Sequence, residues 1–406
     1  MQTILFVNIT GDPGGATSAM FRLIKDLDRA KYLPLVLLAR DGRIRTDFEQ
    51  LGCKTYVKKL GQIRNTAHSP LKFDIQTILM FGYFVFRLPV DVYQIIRIIK
   101  NEAVDIVHIN VSTLYSTGIA AKLSKKKVIW HIREVLNDNW FTFFQIRVID
   151  KCSDRILCIS RGVAKLFFQT NKIEIIYDGI AASDVIIKKT PGEIRNLFNI
   201  VTGKKIFLML GMITGAHGKG FYDYLEAISL FLEKDNDSEF CILGDSQLPG
   251  LLTKTKKSIL GLIGLEYLSE REKLEKKAEQ LKIKNVTHFI GYKKNVFDYI
   301  NAADIIVIPH RLPEGFGLSL IESGMLSKPI ISTNIEPTPE IITHYQTGIL
   351  IPPGDVVRLC EAMLELKNNS QLCQFLGTNL RKDVSERFEL SQLHKKIFKA
   401  YEQLEV

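Results

Sequence analysis

The sequence predicts an α/β protein with two doubly wound parallel sheets, each in its own domain. Short apolar runs typical of buried strands alternate with helical patterns along almost the whole chain. The alternation pauses once, over residues 181–194, and then restarts. With 406 residues, the chain is also too long for one ordinary hydrophobic core.

The first domain is predicted from six strand-like runs and the helices between them. A helix is expected from about Thr17 to Leu27, directly after the first run. The runs cover residues 4–10, 33–39, 104–111, 127–132, 154–160 and 173–179. We place this domain at residues 1–185.

The second domain repeats the alternation and is placed at residues 186–388. Its strand-like runs cover residues 205–213, 239–245, 285–292, 304–310, 328–334 and 348–354. Residues 269–284 are typical of a surface helix with paired charges, and residues 390–404 of an amphipathic helix. We expect residues 389–406 to form a C-terminal helix that packs back toward the first domain.

The composition is that of a soluble globular protein. Apolar residues make up 46% of the chain and charged residues 24%, which excludes disordered and fibrous classes. The six cysteines form no C-x-x-C pair and indicate free thiols in a reducing compartment. The N-terminus lacks the basic leader of a signal peptide. The longest apolar run, residues 78–86, falls short of the roughly 20 residues of a spanning helix, so we expect a cytoplasmic protein without a transmembrane segment.

The net charge is concentrated in the first half of the chain. Residues 1–190 carry 28 basic and 17 acidic side chains, a net +11, whereas residues 191–406 carry 26 and 27, a net −1. The basic half predicts an anionic partner, such as a phosphorylated substrate or a membrane face. No recognisable nucleic-acid-binding module appears, so that class is disfavoured. A solvated basic surface is the alternative interpretation.

Two glycine loops follow predicted strands, where ligands bind in parallel α/β sheets. Gly14 and Gly15 precede the first helix and let the backbone approach a phosphate or sugar. Their spacing is not the dinucleotide fingerprint G-x-G-x-x-G, and a simple tight turn stays open as the alternative. In the second loop, Lys219 lies between glycines just before a helix. A cation opposes the helix dipole there unless an anion such as a diphosphate lies between them.

Two glutamates frame the segment that follows the run 304–310. Glu314 precedes the glycine turn E-G-F-G, and Glu322 lies eight residues later in a predicted helix. Backbone N–H groups at the start of this helix would be open donors for phosphate or sugar oxygens. Carboxylates accept hydrogen bonds from vicinal hydroxyls, so one glutamate can hold a sugar and the other a ribose. A capping glutamate and a surface glutamate are the alternative interpretation.

The block EGFGLSLIE, followed by KPIISTNIEPTPEIITHYQTGILIPPGD, resembles the E-x7-E donor-site motif of the retaining glycosyltransferases of the GT-B fold, family 4 (group 1). The segments VIWHIRE, CISRGVAKLF, IIYDGI and HFIGYKKNVFDYINAADIIVIP stand in the order of that family. The resemblance implies two Rossmann-like domains facing across a cleft. It also implies hexose transfer from a nucleotide diphosphate donor to a hydroxyl of a glycan or lipid-linked acceptor, with retention, in surface polysaccharide or glycolipid assembly.

The resemblance assigns donor-binding roles to particular residues. Glu322 would bind the ribose hydroxyls, Glu314 the donor hexose, and Lys219 the leaving diphosphate. The other donor contacts would come from Gly14, Gly15, Tyr292, Phe316, Gly317, Leu318 and Ser319. Tyr292 would lie near the base, and a uridine diphosphate sugar is the commonest donor in the family.

The resemblance places three further residues across the cleft. His131 would stabilise the oxocarbenium-like charge through its backbone and orient the hexose, and Arg133 and Glu134 would lie toward the acceptor. His131, Glu314 and Lys219 are therefore the candidate catalytic residues. The departing phosphate itself would accept the acceptor proton, so no dedicated base is needed.

The chain departs from the family pattern at two points. The family often reads G-R-L-x-x-x-K-G, but Met212 follows Gly211 here and the phosphate arginine is missing. His217 or a basic residue elsewhere would have to replace it. Asp178 stands in IIYDGI where the family often has asparagine.

Neither a metal nor a cofactor is expected. The Asp-x-Asp pair at Asp235 and Asp237 is typical of a helix-to-strand turn rather than of a metal site. The alternatives are a sugar-nucleotide epimerase on the same scaffold and a non-catalytic protein that binds nucleotide sugars. A pyridoxal phosphorylase would need a much longer chain, and a nicotinamide dehydrogenase is disfavoured by the failed glycine fingerprint.

Two apolar segments have open interpretations. Residues 75–99, with nearby basic residues, suggest docking on an anionic membrane at the inner face, whereas core helices are the ordinary alternative. Residues 248–268 mix basic and apolar side chains and are expected to form a structured insertion rather than a membrane-touching loop.

Overall fold

The computed structural model describes residues 1–12, 14–72, 74–167, 170–200, 203–213, 215–244 and 268–404. The predicted insertion at 248–268 lies, apart from its last residue, outside the described residues. The chain divides into two compact units. The N-terminal unit comprises Met1–Gly179, Glu314–Phe316 and Leu390–Val406, and the C-terminal unit comprises Ile180–Pro313 and Gly317–Glu389.

The N-terminal unit contains a seven-stranded parallel sheet. Its strands are β1 (Gln2–Asn8), β2 (Tyr32–Leu38), β3 (Lys54–Val57), β4 (Ile106–Ile109), β5 (Lys127–Ile132), β6 (Arg155–Cys158) and β7 (Ile173–Ile175). The spatial order is β3-β2-β1-β4-β5-β6-β7. β4 and β2 flank β1, so the order reverses beside the first strand, as in doubly wound folds.

Helices connect these strands. They are α1 (Gly15–Lys25), α2 (Arg45–Gln50), α3 (Ile75–Asn101), α4 (Tyr115–Leu123), α5 (Thr142–Cys152) and α6 (Arg161–Ala164).

The C-terminal unit contains a six-stranded parallel sheet of the same type. Its strands are β8 (Lys205–Leu210), β9 (Ser238–Leu243), β10 (Thr287–Gly291), β11 (Ile305–Ile308), β12 (Ile330–Thr333) and β13 (Ile349–Ile351). The spatial order is β10-β9-β8-β11-β12-β13, which again reverses beside its first strand.

The remaining helices follow in chain order. They are α7 (Pro191–Leu197), α8 (Phe221–Leu232), α9 (Glu270–Gln280), α10 (Phe297–Ala302), α11 (Leu318–Met325), α12 (Thr338–Ile341), α13 (Val356–Asn368), α14 (Ser370–Arg387) and α15 (Leu390–Glu402).

The predicted class, α/β with two doubly wound parallel sheets, is confirmed. The first segment of the N-terminal unit ends at Gly179, whereas the sequence predicted a domain boundary at residue 185. The chain joins this unit again after Glu389. The edge strand β3 was not predicted, because it is short and only partly buried and so lacks an apolar run. Asp235 lies between α8 and β9, where its carboxylate pairs with Lys367.

The last helix, α15, completes the core of the N-terminal unit. Leu393, Ile397 and Tyr401 are buried in one cluster with Ile4 and Phe6 of β1. They recur at intervals of about four residues, so one apolar face of the helix is turned to the sheet. His394, on the same helix, lies 2.8 Å from Asp26.

Helix α3 differs from the expectation of a core helix. Only 11% of its most apolar 18-residue window is buried, and its mean hydropathy there is 1.3. By length and composition alone this helix could cross a membrane, a property that the nine-residue run at 78–86 did not indicate. Among the described residues it is the one helix that meets these criteria.

The six cysteines are free thiols, and five of them are buried. Burial raises the pKa of all six, to about 12 for Cys158 and Cys241. The Sγ of the partly buried Cys373 donates to the Leu366 carbonyl at 3.0 Å.

Substitution by alanine should have opposite effects on stability at two helical glycines. A Cβ on Gly377 in α14 would lie 2.0 Å from the Ser327 carbonyl oxygen, whereas nothing lies within 4 Å of a Cβ on Gly82 in α3. We expect Gly377→Ala to lower the free energy of unfolding by about 1–3 kcal/mol through overpacking. Gly82→Ala should raise it by up to about 1 kcal/mol, because alanine is the better helix former. Urea denaturation of both variants checks this, and a stabilised Gly377→Ala would contradict the close helix contact.

Candidate active site

The segment between the two glutamates opens into helix α11. Gly317 has a φ of 99° and a ψ of 55°, a left-handed conformation that favours glycine, and it is the N-cap of the helix. The buried residues of α11 are Leu320, Ile321, Ser323 and Gly324. Leu318, Ser319 and Glu322 are only partly buried and share one face of the helix, because they lie one and four residues apart. The start of α11 and Glu322 therefore lie on one partly exposed side of the helix.

A glycine fixes this helix against its neighbour. A Cβ on Gly324 would lie 2.8 Å from Val384 and 3.0 Å from Leu380 of α14. The absent side chain lets the two helices approach closely, which holds the face that carries Glu322.

The turn that carries Lys219 is bound to the loop after β11. The backbone N–H groups of Arg311 and Leu312 donate to the Gly218 carbonyl at 2.8 and 3.0 Å. Gly220 has a φ of 74°, and a Cβ there would lie 1.8 Å from the Pro309 carbonyl oxygen. The loop that leads to the glutamates and the turn that positions Lys219, directly before α8, therefore form one backbone assembly.

The side chain of Arg311 reinforces this assembly. Its Nε donates to Asp223 Oδ2 at 2.7 Å and its Nη2 to Asp223 Oδ1 at 2.5 Å. Asp223 lies in the first turn of α8 and is buried, and the bidentate pair raises the pKa of the guanidinium above its ordinary value. Arg311 was not among the residues predicted from the sequence.

Three glycines join the ends of neighbouring strands in the C-terminal unit. The Gly244 N–H donates to the Gly291 carbonyl at 3.2 Å, and a Cβ on Gly244 would lie 1.7 Å from the Gly211 carbonyl oxygen. The aliphatic stem of Lys219 passes beside Gly211, since its Cδ lies 3.7 Å from a Cβ built there. Tyr292 follows Gly291 and is 52% exposed. Tyr292 and Lys219 thus lie at the carboxyl edge of one sheet.

The short segment Glu314–Phe316 groups with the N-terminal unit. The Ser160 hydroxyl donates to the Gly315 carbonyl at 2.8 Å. The Phe316 ring lies 5.7 Å, between centroids, from that of Tyr177. Glu314 Oε1 lies 3.2 Å from His68 Nε2. The first glutamate of the motif therefore has a histidine beside it that the motif itself does not predict.

The buried guanidinium of Arg133 binds three groups. Its Nε donates to Asn110 Oδ1 at 2.7 Å, and its Nη1 donates to the Asp178 carboxylate. Its Nη2 lies 3.5 Å from His131 Nδ1. The Asn110 amide in turn donates to the Ala16 carbonyl in α1 at 2.9 Å. The pairing explains the aspartate at position 178, because a buried cation needs a charged partner.

Arg133 also contacts the motif through its backbone. A Cβ on Gly315 would lie 2.1 Å from the Arg133 carbonyl oxygen, so that only glycine fits at position 315. Since the Arg133 side chain is bound on three sides, its carbonyl is a fixed surface for the turn that follows Glu314. The structure therefore places Arg133 where it positions other residues.

His131 is the penultimate residue of strand β5 and is buried. It is 1% exposed, and burial, with the charge of Arg133 as a second cause, holds its pKa well below the ordinary value. His108, on β4, has its ring centroid 5.4 Å from that of His131, and its Nδ1 lies 2.8 Å from the Tyr401 hydroxyl of α15. Burial lowers the pKa of His108 to about 3. Both rings are neutral at neutral pH, so His131 contributes no positive charge.

Three predicted residues lie around this group. Glu134 follows Arg133, and its Oε2 accepts the Ser112 N–H at 3.0 Å; burial raises the pKa of its carboxyl. Gly14 and Gly15 form the start of α1, where the Ser18 N–H donates to the Gly14 carbonyl at 2.9 Å. Through Asn110 and Ala16, the hydrogen bonds of Arg133 reach this same helix.

Sequence reasoning missed Asn110, Arg311, His108 and Tyr401. Asn110 had a visible signal, because it is a polar residue that follows an apolar strand directly. The other three had none, since each acts through a partner far away along the chain. His217, the predicted substitute for the missing arginine, stacks on Tyr222 with ring centroids 4.2 Å apart.

The C-terminal half of the chain matches a known family. Residues 192–383 match the family model described as glycosyl transferases group 1. The 2-deoxystreptamine N-acetyl-D-glucosaminyltransferase of Niallia circulans is 30% identical over 189 residues, 46% of this chain and 42% of its own length. An uncharacterized glycosyltransferase of Methanocaldococcus jannaschii is 25% identical over 76% of this chain and 78% of its own length. The chain thus spans less than half of the first of these relatives.

The fold is shared over the whole chain. The crystal structure of Anabaena HepE in complex with UDP has a TM-score of 0.77 at 17% identity, and the match covers 99% of this chain and all of HepE. The two units thus have the GT-B fold. At this identity the likeness shows the fold, and the match to the group 1 glycosyltransferase model itself covers somewhat under half of the chain.

The Arg311–Asp223 pair predicts a stability effect. Arg311→Ala leaves a buried carboxylate without its two hydrogen bonds, which should lower the free energy of unfolding by about 1–3 kcal/mol. Arg358→Ala breaks an exposed pair with Glu361 and should change it by less than about 0.5 kcal/mol. Urea denaturation measures both, and equal effects would contradict the assigned role of Arg311.

The buried histidines predict acid sensitivity of the N-terminal unit. Above the ordinary pKa of 6.5 they are neutral whether the chain is folded or unfolded. As the pH falls below 6.5, the unfolded chain binds protons that the folded chain excludes, so stability falls, for His108 until about pH 3. Each histidine should lower the free energy of unfolding by about 2 kcal/mol at pH 5 relative to pH 7. Denaturation followed by the fluorescence of Trp130 and Trp140, both in this unit, measures the loss.

A substitution isolates the share of one ring. His108→Gln should remove about half of the stability difference between pH 7 and pH 5, whereas His344→Gln, at an exposed position of the other unit, should leave it unchanged. An undiminished pH dependence in His108→Gln would show that this ring is not the source.

Proposed function

We propose that this protein transfers a hexose from a nucleotide diphosphate donor to a hydroxyl group of a glycan or lipid-linked acceptor, with retention of the anomeric configuration. The observation that carries the proposal is the start of helix α11. The start of this helix, Ser319 and Glu322 share one partly exposed face, and the loop before it is hydrogen-bonded to the turn of Lys219. A diphosphate needs N–H donors and a cation, and a ribose needs a carboxylate.

The donor contacts follow from this placement. Glu322 binds the ribose hydroxyls, and the N–H groups of the segment 316–319 bind the diphosphate together with Lys219. Tyr292, exposed at the same sheet edge, contacts the base. Solved structures of HepE contain UDP, UDP with glucose, and UDP-glucose, which supports a uridine diphosphate sugar as the donor.

Glu314 holds the hexose hydroxyls, and its neighbour His68 orients that carboxylate. His131 contributes through its backbone, because its ring is buried and neutral. Arg133 positions His131 and the Gly315 turn, and Glu134 lies toward the acceptor. The departing phosphate accepts the acceptor proton on the same face, so this mechanism assigns no separate base and no metal ion.

We place the reaction in the cytoplasm, as one step of surface polysaccharide or glycolipid assembly. The support for this compartment is the set of six free cysteines.

Ligand-induced stabilisation tests the donor site. UDP at a hundredfold excess over its Kd should stabilise the folded protein by about 2.7 kcal/mol. Glu322→Ala should lose this stabilisation because the ribose contact is removed, whereas Glu361→Ala, on the exposed surface of α13, should retain it. Thermal-shift measurements with UDP and UDP-glucose give the result. Stabilisation of Glu322→Ala equal to that of the wild type would overturn the assignment.

Glu314→Gln separates the sugar from the nucleotide. This variant should keep the shift caused by UDP and lose the additional shift caused by UDP-glucose, because the carboxylate contacts only the hexose. Proton NMR of the product formed with an acceptor tests retention, and an inverted anomeric signal would contradict it. Sugar conversion without any acceptor would instead identify an epimerase, and binding without turnover a non-catalytic protein.

A further inference from the structure

Helix α3 lies on the N-terminal unit with one face buried and the opposite face open. Phe84, Asp91, Ile95 and Ile98 are buried and recur at helical spacing, so they define the inner face. Asp91 is fixed there by the Gly61 N–H at 2.7 Å and by Arg87 Nη2 at 2.7 Å. The helix is therefore bound to its unit from Phe84 onward.

The outer face is apolar where a surface helix is normally polar. Positions 75, 79, 82, 86, 90 and 93 follow one another by three or four residues and are all exposed. They are Ile75, Leu79, Gly82, Phe86, Val90 and Tyr93, and the first and fourth are 76% and 79% exposed. Ile78, Phe81, Tyr83 and Val85 widen this strip on both sides. At 1.5 Å per residue, the strip is about 27 Å long.

A second group of exposed aromatic side chains lies near the residues that precede α3. Trp140, Phe143 and Phe144 at the start of α5 are 59%, 64% and 48% exposed. Asn139 binds this turn to the residues that precede α3, because its amide donates to Asn65 Oδ1 at 2.8 Å and to the Leu71 carbonyl at 3.3 Å.

Buried rings join the same two elements from below. Phe84 of α3 contacts Tyr115, which contacts Phe141, with ring centroids 5.9 and 6.3 Å apart. Phe141 in turn lies 5.6 Å from Trp140 and 5.5 Å from Phe144. We call the outer face of α3, together with Trp140, Phe143 and Phe144, the apolar strip.

Basic residues surround the apolar strip. The Lys59 ammonium lies 5.7 Å from the Tyr83 ring, and the Arg147 guanidinium lies 5.5 Å from the Phe143 ring. Lys72 and Arg97, both exposed, stand before and after the helical part. Of the nearby acids, Asp74 caps α3 by accepting the Thr77 N–H at 2.8 Å, and Asp138 is exposed.

We propose that the apolar strip docks the protein on a lipid bilayer with anionic headgroups. An elongated apolar face with aromatic side chains and a basic border is typical of helices that lie in the plane of the membrane interface. The burial of Ile95 and Ile98 in the N-terminal unit favours a helix that lies on the membrane surface over one that crosses the bilayer. The loop that holds the apolar strip, residues 65–71, also carries His68 beside Glu314. Docking therefore brings the sugar-binding carboxylate toward acceptors held in the membrane.

Co-sedimentation with vesicles tests this proposal on the full chain. The wild type should pellet with vesicles of phosphatidylcholine and phosphatidylglycerol at low salt, and much less with phosphatidylcholine alone. The double variant Leu79→Gln, Phe86→Gln removes two outer-face contacts and should partition at least about tenfold more weakly. The matched variant Val357→Gln, Phe375→Gln changes two exposed residues of the other unit, at 57% and 52% exposure, and should partition like the wild type.

Tryptophan emission supplies a second readout. Trp140 is exposed and Trp130 is buried, so a blue shift on vesicle binding reports the apolar strip. Trp140→Phe should abolish the shift while the protein still pellets. The thermal shift caused by UDP should be the same in every variant, which shows that they are folded and separates a failure of docking from a failure of the donor site.

Three results would overturn the proposal. The first is that the wild type does not pellet with anionic vesicles at low salt. The second is that both double variants lose binding equally. The third is that the wild type forms a dimer, that the double variant Leu79→Gln, Phe86→Gln is monomeric, and that no variant binds vesicles. This result would identify a second copy of the chain as the partner of the apolar strip. Equal binding to both vesicle types would refute the part of the proposal that requires anionic headgroups.

Discussion

The buried charge of Arg133 is the constraint on which the candidate residues of the N-terminal unit depend. A guanidinium in an apolar interior must have a counter-ion and further acceptors, and its planar group of donors satisfies them in fixed directions. Asp178 and Asn110 meet this need, and His131 lies beside the remaining nitrogen. The geometry of three strand ends is therefore set by one side chain. A lysine would keep the charge but not the three directions.

In the C-terminal unit, close backbone contacts hold the candidate residues. Gly220 and Gly244 bring backbone atoms so close that no side chain would fit at either position. Strand ends and loops then contact one another directly through carbonyl and N–H groups, and Arg311 adds one bidentate pair at the edge. A site of this kind offers N–H donors to an anion in a rigid arrangement, which suits recognition of a diphosphate.

The hydrophobic periodicity of the sequence predicted the structural features that depend on residues close together along the chain, and few others. The two parallel sheets, α15 and the left-handed Gly317 follow from local patterns that the sequence displays. Contacts between distant residues carry no such pattern. The pairing of Arg133 with Asp178 and that of His108 with Tyr401 required the fold to be known, as did the exposure of α3. An apolar helix looks the same in sequence whether protein or another medium surrounds it.

The buried cysteines have a practical consequence for chemical labelling. The thiolate is the reactive form, and burial raises the pKa of every native thiol in this chain. Maleimide reagents at neutral pH should therefore leave the folded wild type largely unmodified. A cysteine introduced at an exposed position such as Ile78 would react selectively and accept a spin label or fluorophore. The native chain thus comes close to a cysteine-free background without any substitution of its core.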